Sequence, residues 1–412
     1  MLDRGVWSNR EFLKMWLGGS VSAIGSQVTT LALPLVAVLL LNAGPAETGL
    51  LTAASLAPNL LLGLFAGVWV DRLPPRMIRI TANALNAVVI AFVPLAGFIG
   101  LLQLETLYVT SFVAGTLTMF ARLAQSALLP RVVSRRQLLD ANGAVLGSFA
   151  FAQIVGPSLA GVLMQVVSPT AVLLVDAASF VFSAACYVVL REPPPAPSST
   201  PRAGMLNEIG EGLAWLRGNE VLLRLTVTIG LANVAWFAVQ AVMVPFATLT
   251  LGLSPALLGF ALGVTGPFSL LGAVLAARIA RQFGLGPTLV ASLSGELLSR
   301  IVLILASGPP LAAASVVGLS QAIFGFIAPL WDVNSSSLRQ AITPERLLGR
   351  VSAATTFVGL GAAPLGAVLG GYIGDLAGPR AALVAATAVT AVSVGLLLVP
   401  SVLRLRAPSS DA

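Results

Sequence analysis

The sequence predicts an all-α membrane protein with twelve transmembrane helices, arranged as two six-helix bundles related by a pseudo-two-fold axis. Three observations predict this fold. The 412-residue chain is 57% hydrophobic and 9% charged, with a mean hydropathy of +0.94, whereas roughly a quarter of the residues of a soluble protein are charged. Apolar runs of about 20 residues, the length that crosses a bilayer, recur along the chain. The first half also matches the second half at a nearly constant offset.

The apolar runs are separated by short turns that carry proline, glycine or charge. We expect the twelve spans at residues 13–41, 47–70, 77–100, 105–128, 138–165, 169–190, 221–250, 255–277, 287–307, 311–333, 345–372 and 379–401. The longer connector begins with prolines and continues with apolar residues at helical spacing, which predicts a linker and an interfacial amphipathic helix. The expected domains are an N-terminal six-helix bundle over 1–190, a cytoplasmic linker with that helix over 191–220, and a C-terminal six-helix bundle over 221–412.

The arginines predict the orientation. If the N-terminus lies in the cytoplasm, the even-numbered turns and the C-terminal tail hold almost all the arginines between spans, and the outer turns hold only Arg380. This asymmetry places both termini in the cytoplasm under the positive-inside rule. The first span is too long for the apolar region of a cleavable signal peptide. We therefore expect a multi-pass protein of a bacterial cytoplasmic membrane.

Composition also excludes several chemistries. The chain has no histidine and one cysteine, Cys186, so an intrachain disulfide, a His/Cys metal site and a Cys–His nucleophile are excluded. No phosphate-binding Gly-x-x-x-x-Gly-Lys-Ser/Thr fingerprint occurs. The net charge of +7 comes from arginines at helix ends and does not indicate nucleic-acid binding. We expect no cofactor and no enzymatic activity, because a membrane-embedded enzyme without histidine would need a pair of acids in one cavity, and none is visible.

An internal repeat supports the two-bundle arrangement. Nine residues of the first half meet the same residue in the second half, in sequence order, at offsets between 207 and 211. The matches are Pro34/Pro245, Pro45/Pro255, Gly49/Gly259, Pro58/Pro267, Gly63/Gly272, Arg72/Arg281, Leu139/Leu348, Pro157/Pro364 and Pro169/Pro379. A parallel duplication of six helices is the organisation of several transporters.

The short polar turn after the second span carries a recognisable motif. Gly67, Asp71, Arg72 and Arg76 stand at the spacing Gly-x-x-x-Asp-Arg-x-x-x-Arg. Taken alone, such a turn is a basic connector that sets topology. Its spacing resembles the signature loop of the major facilitator superfamily, which implies the major facilitator fold and a gating role at the cytoplasmic face. The second copy keeps Arg281 but has Ala280 in place of Asp71.

Other segments resemble the macrolide-efflux and siderophore-export branch of that superfamily. They are Asn9-Arg10-Glu11-Phe12, Ala127–Asn142, Asp176-Ala-Ala-Ser179-Phe180 and Ser337–Val351. In span 5, Gly147 precedes Gly156-Pro157-x-x-x-Gly161, similar to the antiporter motif of drug/proton exchangers. The alternative is a helix kinked by Pro157 and packed through small residues. The resemblance implies an exporter of small, often lipophilic molecules.

Ionisable groups inside a span are costly and therefore suggest function. Five occur: Arg122, Asp176, Glu296, Arg300 and Asp332. Glu296 and Arg300 are four residues apart, so they share a helix face and can form a structural pair or a proton site. Asp176 lies near the outer third of span 6 and is a candidate for proton coupling or for a packing hydrogen bond.

Arg122 and Asp332 are separated by the repeat offset of 210 residues. The repeat therefore puts them at equal depth on spans 4 and 10, which line the central cavity in the fold that the resemblance implies. We expect them to pair across the two bundles when the cytoplasmic mouth closes. The alternative is that both side chains extend to the inner membrane interface.

Amide, hydroxyl and aromatic residues make up the rest of the presumed cavity: Ser20, Gln27, Thr30, Asn233, Trp236, Gln240, Gln321 and Trp331. Such a wall suits an amphiphilic, largely apolar ligand, although each residue could instead be a helix-packing contact. The hypothesis is a monomeric secondary exporter that works by alternating access on a small-molecule substrate, surrounded by membrane lipids and driven by protons. The alternatives are uptake, lipid movement between leaflets, or a non-transporting sensor or scaffold.

Overall fold

The computed structural model describes residues 5–63, 66, 69–70, 73–192 and 205–405, with side chains from residue 210 onward in the segment that follows the linker. Within those residues the regular structure is helical throughout, as predicted. The chain divides into two compact units. One contains Met1–Ala43 and Ala54–Pro201, and the other contains Gly44–Ala53 and Arg202–Ala412.

The first unit is built on the helices of the N-terminal half. They are α1 (Arg10–Leu41), α2 (Pro45–Leu61, whose residues as far as Ala53 group with the second unit), α3 (Pro75–Phe98), α4 (Leu104–Val132), α5 (Leu138–Leu163) and α6 (Leu173–Val188). Inside this unit, α1 packs on α5 and α6, and α3 packs on α4 and α6. Its main apolar cluster includes Phe12, Met15, Leu128 and Tyr187.

The second unit begins with a short helix that precedes the spans. Its helices are α7 (Met205–Gly218), α8 (Glu220–Pro245), α9 (Pro255–Gly263), α10 (Thr265–Phe283), α11 (Leu285–Ile304), α12 (Pro310–Ile342), α13 (Glu345–Ala377), α14 (Pro379–Leu397) and α15 (Pro400–Leu403). A π-turn, Phe246–Thr250, extends α8. Here α8 packs on α13 and α14, and α12 packs on α10 and α11.

Ten helical segments among the described residues are long and apolar enough to cross a membrane. They are Arg10–Leu41, Pro75–Phe98, Leu104–Val132, Arg135–Leu163, Glu220–Thr250, Pro255–Phe283, Leu285–Ile304, Pro310–Ile342, Glu345–Ala377 and Pro379–Leu397. The predicted number of twelve is thus not matched in full. The sixth expected span is the 16-residue apolar helix α6, and the second is described over the 17 residues of α2.

The internal repeat is visible in the helix boundaries. The starts of α8, α9, α11, α12, α13 and α14 fall 206 to 210 residues after those of α1, α2, α3, α4, α5 and α6. Even the caps correspond: the side chain of Asn9 accepts hydrogen bonds from the main-chain N–H groups of Glu11 and Phe12 in α1, and that of Asn219 accepts one from Leu222 in α8. Asparagine satisfies N–H groups that a helix start leaves unpaired.

Two close helix contacts are also duplicated. A Cβ atom at Gly115 would strike the main-chain carbonyl of Ser55, which brings α4 against α2. The equivalent Gly325 stands in the same relation to the carbonyl of Thr265, which brings α12 against α10. Small residues let membrane helices approach at backbone distance. Each unit therefore uses the same glycine-to-carbonyl contact, 210 residues apart.

The predicted amphipathic helix is present as α7. Leu216 of α7 is buried in a cluster with Leu222 and Val351, and a Cβ at Gly212 would strike the carbonyl of Arg350. Glu211 forms an ion pair with the Arg350 side chain. The described part of α7 therefore packs on the first turns of α13. The proline-rich part of the predicted linker, residues 193–204, lies outside the described residues.

Candidate functional site

The signature turn is described only in part. Gly67, Asp71 and Arg72 lie outside the described residues. Arg76, in the first turn of α3, donates from Nε to the carbonyl oxygen of Tyr187 over 2.9 Å and from a terminal nitrogen to that of Val188 over 2.6 Å. The last carbonyls of a helix have no partner within the helix. Arg76 therefore fastens the start of α3 to the end of α6.

A second arginine of the same segment is buried one turn further along α3. The side chain of Arg79 is 6% exposed, and its guanidinium carbon lies 4.7 Å from the ring centroid of Tyr187. One terminal nitrogen donates to the carbonyl of Ala121 over 3.4 Å, while Nε has no partner among the described residues. Arg79 thus lies beyond the signature turn, and its contacts with Tyr187 and Ala121 place it inside the helix packing.

Arg122 and Asp332 occupy corresponding exposed positions in their own units. In the first unit, Arg122 donates to the Asn59 side-chain oxygen of α2 over 3.0 Å. In the second unit, the main-chain carbonyl of Asp332 accepts a hydrogen bond from Ser335 over 3.3 Å, and its carboxylate is within electrostatic range of Glu296 on α11. The pairing of Arg122 with Asp332 stays a prediction from the repeat.

Glu296 and Arg300 form an ion pair along one face of α11. The side chains are 12% and 4% exposed. Arg300 also donates to the carbonyl of Ala386 over 3.1 Å and to the hydroxyl of Thr390, both in α14. A buried charge needs a partner and further hydrogen bonds, and Arg300 has both. The pair thus links α11 to α14 within the second unit.

Asp176 is the most buried acid of the described residues, with 1% of its surface exposed. Its carboxylate accepts hydrogen bonds from Thr29 Oγ1 over 2.6 Å and from Ser179 Oγ over 3.1 Å, and also from the hydroxyl of Ser26. Sequence reasoning missed Ser26 and Thr29 as partners. The signal that could have found them is a pair of hydroxyl residues three apart beside Gly25, which marks one polar face of α1.

The antiporter-like motif contributes a close contact in α5. A Cβ at Gly156 would strike Gln27, so this glycine brings α5 against α1, and Gly366 does the same against Val234 in the second unit. Pro157 lies within the helix and Gly161 is buried. At Gly147, a Cβ would meet nothing within 4 Å. Gly156 and Gly147 therefore differ: one has a packing role, and the other has free space beside it.

The residues expected to line the cavity fall into two groups. Trp236 and Phe324 stack with ring centroids 4.1 Å apart and planes at 12°, and Gln27, Asn233 and Gln240 are half-buried. In contrast, Gln321 is 7% exposed, and Trp331 packs against the apolar cluster of Leu225 and Leu289. Trp236 is thus the aromatic residue of the predicted wall that stacks on a neighbour, and that neighbour, Phe324, was not predicted from the sequence.

Known proteins match this chain over most of its length. A family model described as Major Facilitator Superfamily matches residues 15–364. The chain is 28% identical over 383 residues to the "Multidrug efflux pump Tap" of Mycobacterium tuberculosis (89% of this chain and 87% of that protein). It is 26% identical over 392 residues to "Macrolide efflux protein A" of Streptococcus pyogenes (89% and 90%). A solved structure of the nucleoside transporter NupG has a TM-score of 0.81 with 10% identity, covering 94% of this chain and 99% of that chain.

Proposed function

The chain belongs to the Major Facilitator Superfamily, and we propose that it exports small amphiphilic or lipophilic molecules across a bacterial cytoplasmic membrane. The observation that carries this proposal is the match to two bacterial efflux pumps over nearly nine-tenths of the chain. Because the match extends over almost the whole chain, it includes both units. The substrate class would be that of drugs, macrolides or siderophore-like compounds.

The side chains of the second unit support an amphiphilic, largely apolar substrate. The stacked rings of Trp236 and Phe324 offer a flat apolar surface, and the half-buried amides of Asn233 and Gln240 stand on the same helix as Trp236. Ligand sites of this kind are mostly apolar, with a few polar groups that fix orientation. Such a wall would bind an amphiphile mainly through contact with apolar surface and not through ion pairs.

We infer that transport proceeds by alternating access, with gates formed by charged residues. Asp71 and Arg72 would stabilise one arrangement at the cytoplasmic face, where a carboxylate is favoured near the positive end of a helix. Arg122 and Asp332 would close the cytoplasmic mouth as an ion pair. Proton antiport is the proposed drive, because the sequence contains no nucleotide-binding fingerprint and carries a partial antiporter motif at Gly156-Pro157.

The test uses everted membrane vesicles that contain the full chain, so that export appears as uptake. A panel of labelled macrolides, beginning with erythromycin, is added with a proton gradient across the membrane. We expect accumulation above that of vesicles without the protein, and its loss when an uncoupler collapses the gradient. No accumulation of any compound by correctly folded protein would contradict export, and accumulation driven by a sodium gradient in the presence of the uncoupler would contradict proton antiport.

A matched pair of variants tests the aromatic surface. Phe324→Ala removes half of the stack with Trp236, so erythromycin accumulation should fall. Phe98→Ala is the control, because Phe98 is 90% exposed at the end of α3 and outside the proposed wall. Equal effects of the two substitutions would contradict the role of the stack.

A further inference from the structure

A row of buried polar side chains follows one face of α6. Asp176, Ser179, Ser183 and Tyr187 are spaced by three or four residues and are at most 6% exposed. This spacing places them on one side of a helix, and the row is roughly 16 Å long at 1.5 Å per residue. Polar groups inside a membrane helix are costly and often mark the paths of ions or protons.

Hydroxyl groups surround the acid at one end of the row. Ser26 and Thr29 of α1 and Ser179 of α6 donate to the Asp176 carboxylate. Gly25 makes room for it, because a Cβ at that position would lie 2.6 Å from Asp176 Oδ1. The carboxyl group is thus enclosed between α1 and α6 by groups that can donate or accept a proton.

No cation in the helices packed on α6 reaches this acid. Those helices are α1 and α3. Their charged residues all lie in the first turns of α1 or α3: Arg10, Glu11, Lys14, Arg76 and Arg79. These turns are at the Tyr187 end of the row, because Lys14 and Arg76 both donate hydrogen bonds to carbonyls at the end of α6. On α6 itself, the other titratable groups are Cys186 and Tyr187, also at that end. Among the described residues, an ionised Asp176 is therefore a buried charge without a counter-ion, and binding a proton removes that charge.

The middle of the row continues onto α3. Asn83 donates to Ser183 Oγ over 2.9 Å, and both side chains are fully buried. The Oδ1 atoms of Asn83 and Asn86 and Nε of Arg79 have no partner among the described residues. These atoms lie on one face of α3, at positions i, i+4 and i+7. Buried polar atoms without a protein partner are sites for bridging water, so the row has the chemistry of a hydrated path.

We propose that Asp176 is the carboxyl group that binds the transported proton, and that the polar row of α3 and α6 carries the proton between Asp176 and the Tyr187 end of α6. The inference rests on the proposed proton antiport. On uptake, a carboxylate oxygen of Asp176 gains a proton from the outer medium and the carboxyl becomes neutral. On release, that O–H bond breaks, the carboxylate forms again, and the proton leaves along the hydroxyl groups and water of the row toward the predicted cytoplasmic face.

Infrared difference spectroscopy of the full chain in lipid nanodiscs tests the site without a substrate. Between acid and alkaline buffer, the wild type should show the carbonyl band of a buried protonated carboxyl. The band should be absent in Asp176→Asn and retained in Asp140→Asn, a control at an exposed acid in the first turn of α5. In Thr29→Val, which keeps Asp176, the band should move to higher frequency because the carbonyl loses a hydrogen bond. A spectrum unchanged in both Asp176→Asn and Thr29→Val would overturn the proposal, as would a band that responds to sodium and not to pH.

Two further measurements address the path and the function. On transfer to D2O, the carboxyl band should shift more slowly in Ser183→Ala than in the wild type and in the control Ser148→Ala; equal rates would overturn the path.

In everted vesicles, gradient-driven erythromycin accumulation should be lost in Asp176→Asn and kept in Asp140→Asn, and equal accumulation would overturn the coupling role. If the wild type moves no macrolide while the Asp176 band is present, the export proposal fails and proton binding at Asp176 stands.

Discussion

The guanidinium of Arg76 donates to the main-chain carbonyl of Tyr187 over 2.9 Å, so the second arginine of the signature turn is a cap on the end of α6. A second bond reaches Val188, the next residue. The planar fork of arginine can reach two neighbouring carbonyls at once, whereas lysine is a point donor on a flexible stem.

Arg76→Lys should therefore lower stability by about 1.5 kcal/mol, the contribution of one hydrogen bond that involves a charged group. The measurement is thermal unfolding of the purified protein in detergent. Arg136→Lys is the control, because Arg136 is exposed in the short 3-10 turn Arg135–Gln137. Equal unfolding temperatures for the two variants would contradict the capping role.

The duplicated glycine contacts predict matched losses of stability in the two halves. Gly115→Ala and Gly325→Ala each place a methyl group against a main-chain carbonyl, so each should cost about 1–3 kcal/mol, the usual range for overpacking. Gly143→Ala and Gly349→Ala are the controls, because nothing lies within 4 Å of a Cβ at either position. Thermal unfolding checks all four; a control that loses as much as its partner would refute the packing explanation.

The buried Glu296–Arg300 pair predicts that a single substitution lowers the free energy of unfolding more than a double substitution does. Arg300→Met leaves the Glu296 carboxylate buried without its partner, which should cost about 3–5 kcal/mol, whereas Glu296→Gln with Arg300→Met should recover much of that loss. The pair Glu220–Arg224, with an exposed Glu220 and a half-buried Arg224, has the same i, i+4 spacing, and Arg224→Met should cost about 0–1 kcal/mol. If the double variant is no more stable than Arg300→Met, the pair is not the source of the effect.

Arg122 and Asp332 are predicted to act together as a gate. Arg122→Ala and Asp332→Ala should each lower the transport rate and increase cysteine labelling from the cytoplasmic side, because each removes one partner of the ion pair proposed to close the cytoplasmic mouth. The charge-swapped double variant should recover part of the rate in a double-mutant cycle. Since Arg122 also binds Asn59, Asn59→Ala is the control for loss of that contact. Strictly additive effects of Arg122→Ala and Asp332→Ala would refute the coupling.

Asp71→Asn tests the turn itself. The variant should insert and fold as the wild type does but transport more slowly, because it removes the one carboxylate of the turn and leaves Arg72 and Arg76. Vesicle uptake of erythromycin, normalised to the amount of folded protein, measures the effect. Uptake at the wild-type rate would show that this acid has no role in gating.

The repeat could be predicted from the sequence because prolines and glycines are imposed by local backbone geometry. The pairs Pro45/Pro255 and Pro169/Pro379 mark corresponding helix starts or the turns before them. The length of α6 could not be predicted, because the apolar run from residue 169 to 190 contains turns and only 16 residues of regular helix.

For the candidate site, the charged residues could be predicted from the sequence, whereas the buried neutral amides could not. Charges such as Glu296 and Arg300 are conspicuous in an apolar span, and their spacing alone indicates a pair. Asn83 and Asn86 are neutral amides, and their role in the polar row depends on which helix packs beside them. The sequence alone does not reveal that α3 packs on α6. Gln321 was assigned to the cavity wall from its helix alone, but the packing of α12 leaves it 7% exposed.

The repeated contacts of Gly115 with Ser55 and of Gly325 with Thr265 bear on how the two halves can diverge after duplication. A position where any side chain would strike a main-chain carbonyl disfavours every residue larger than glycine in either copy, so the backbone paths are constrained together. Positions such as Arg122 and Asp332 face no such barrier, and their charges have become opposite. A duplicated gene can thus keep two copies of one helix framework while corresponding polar positions in the two halves acquire different charges.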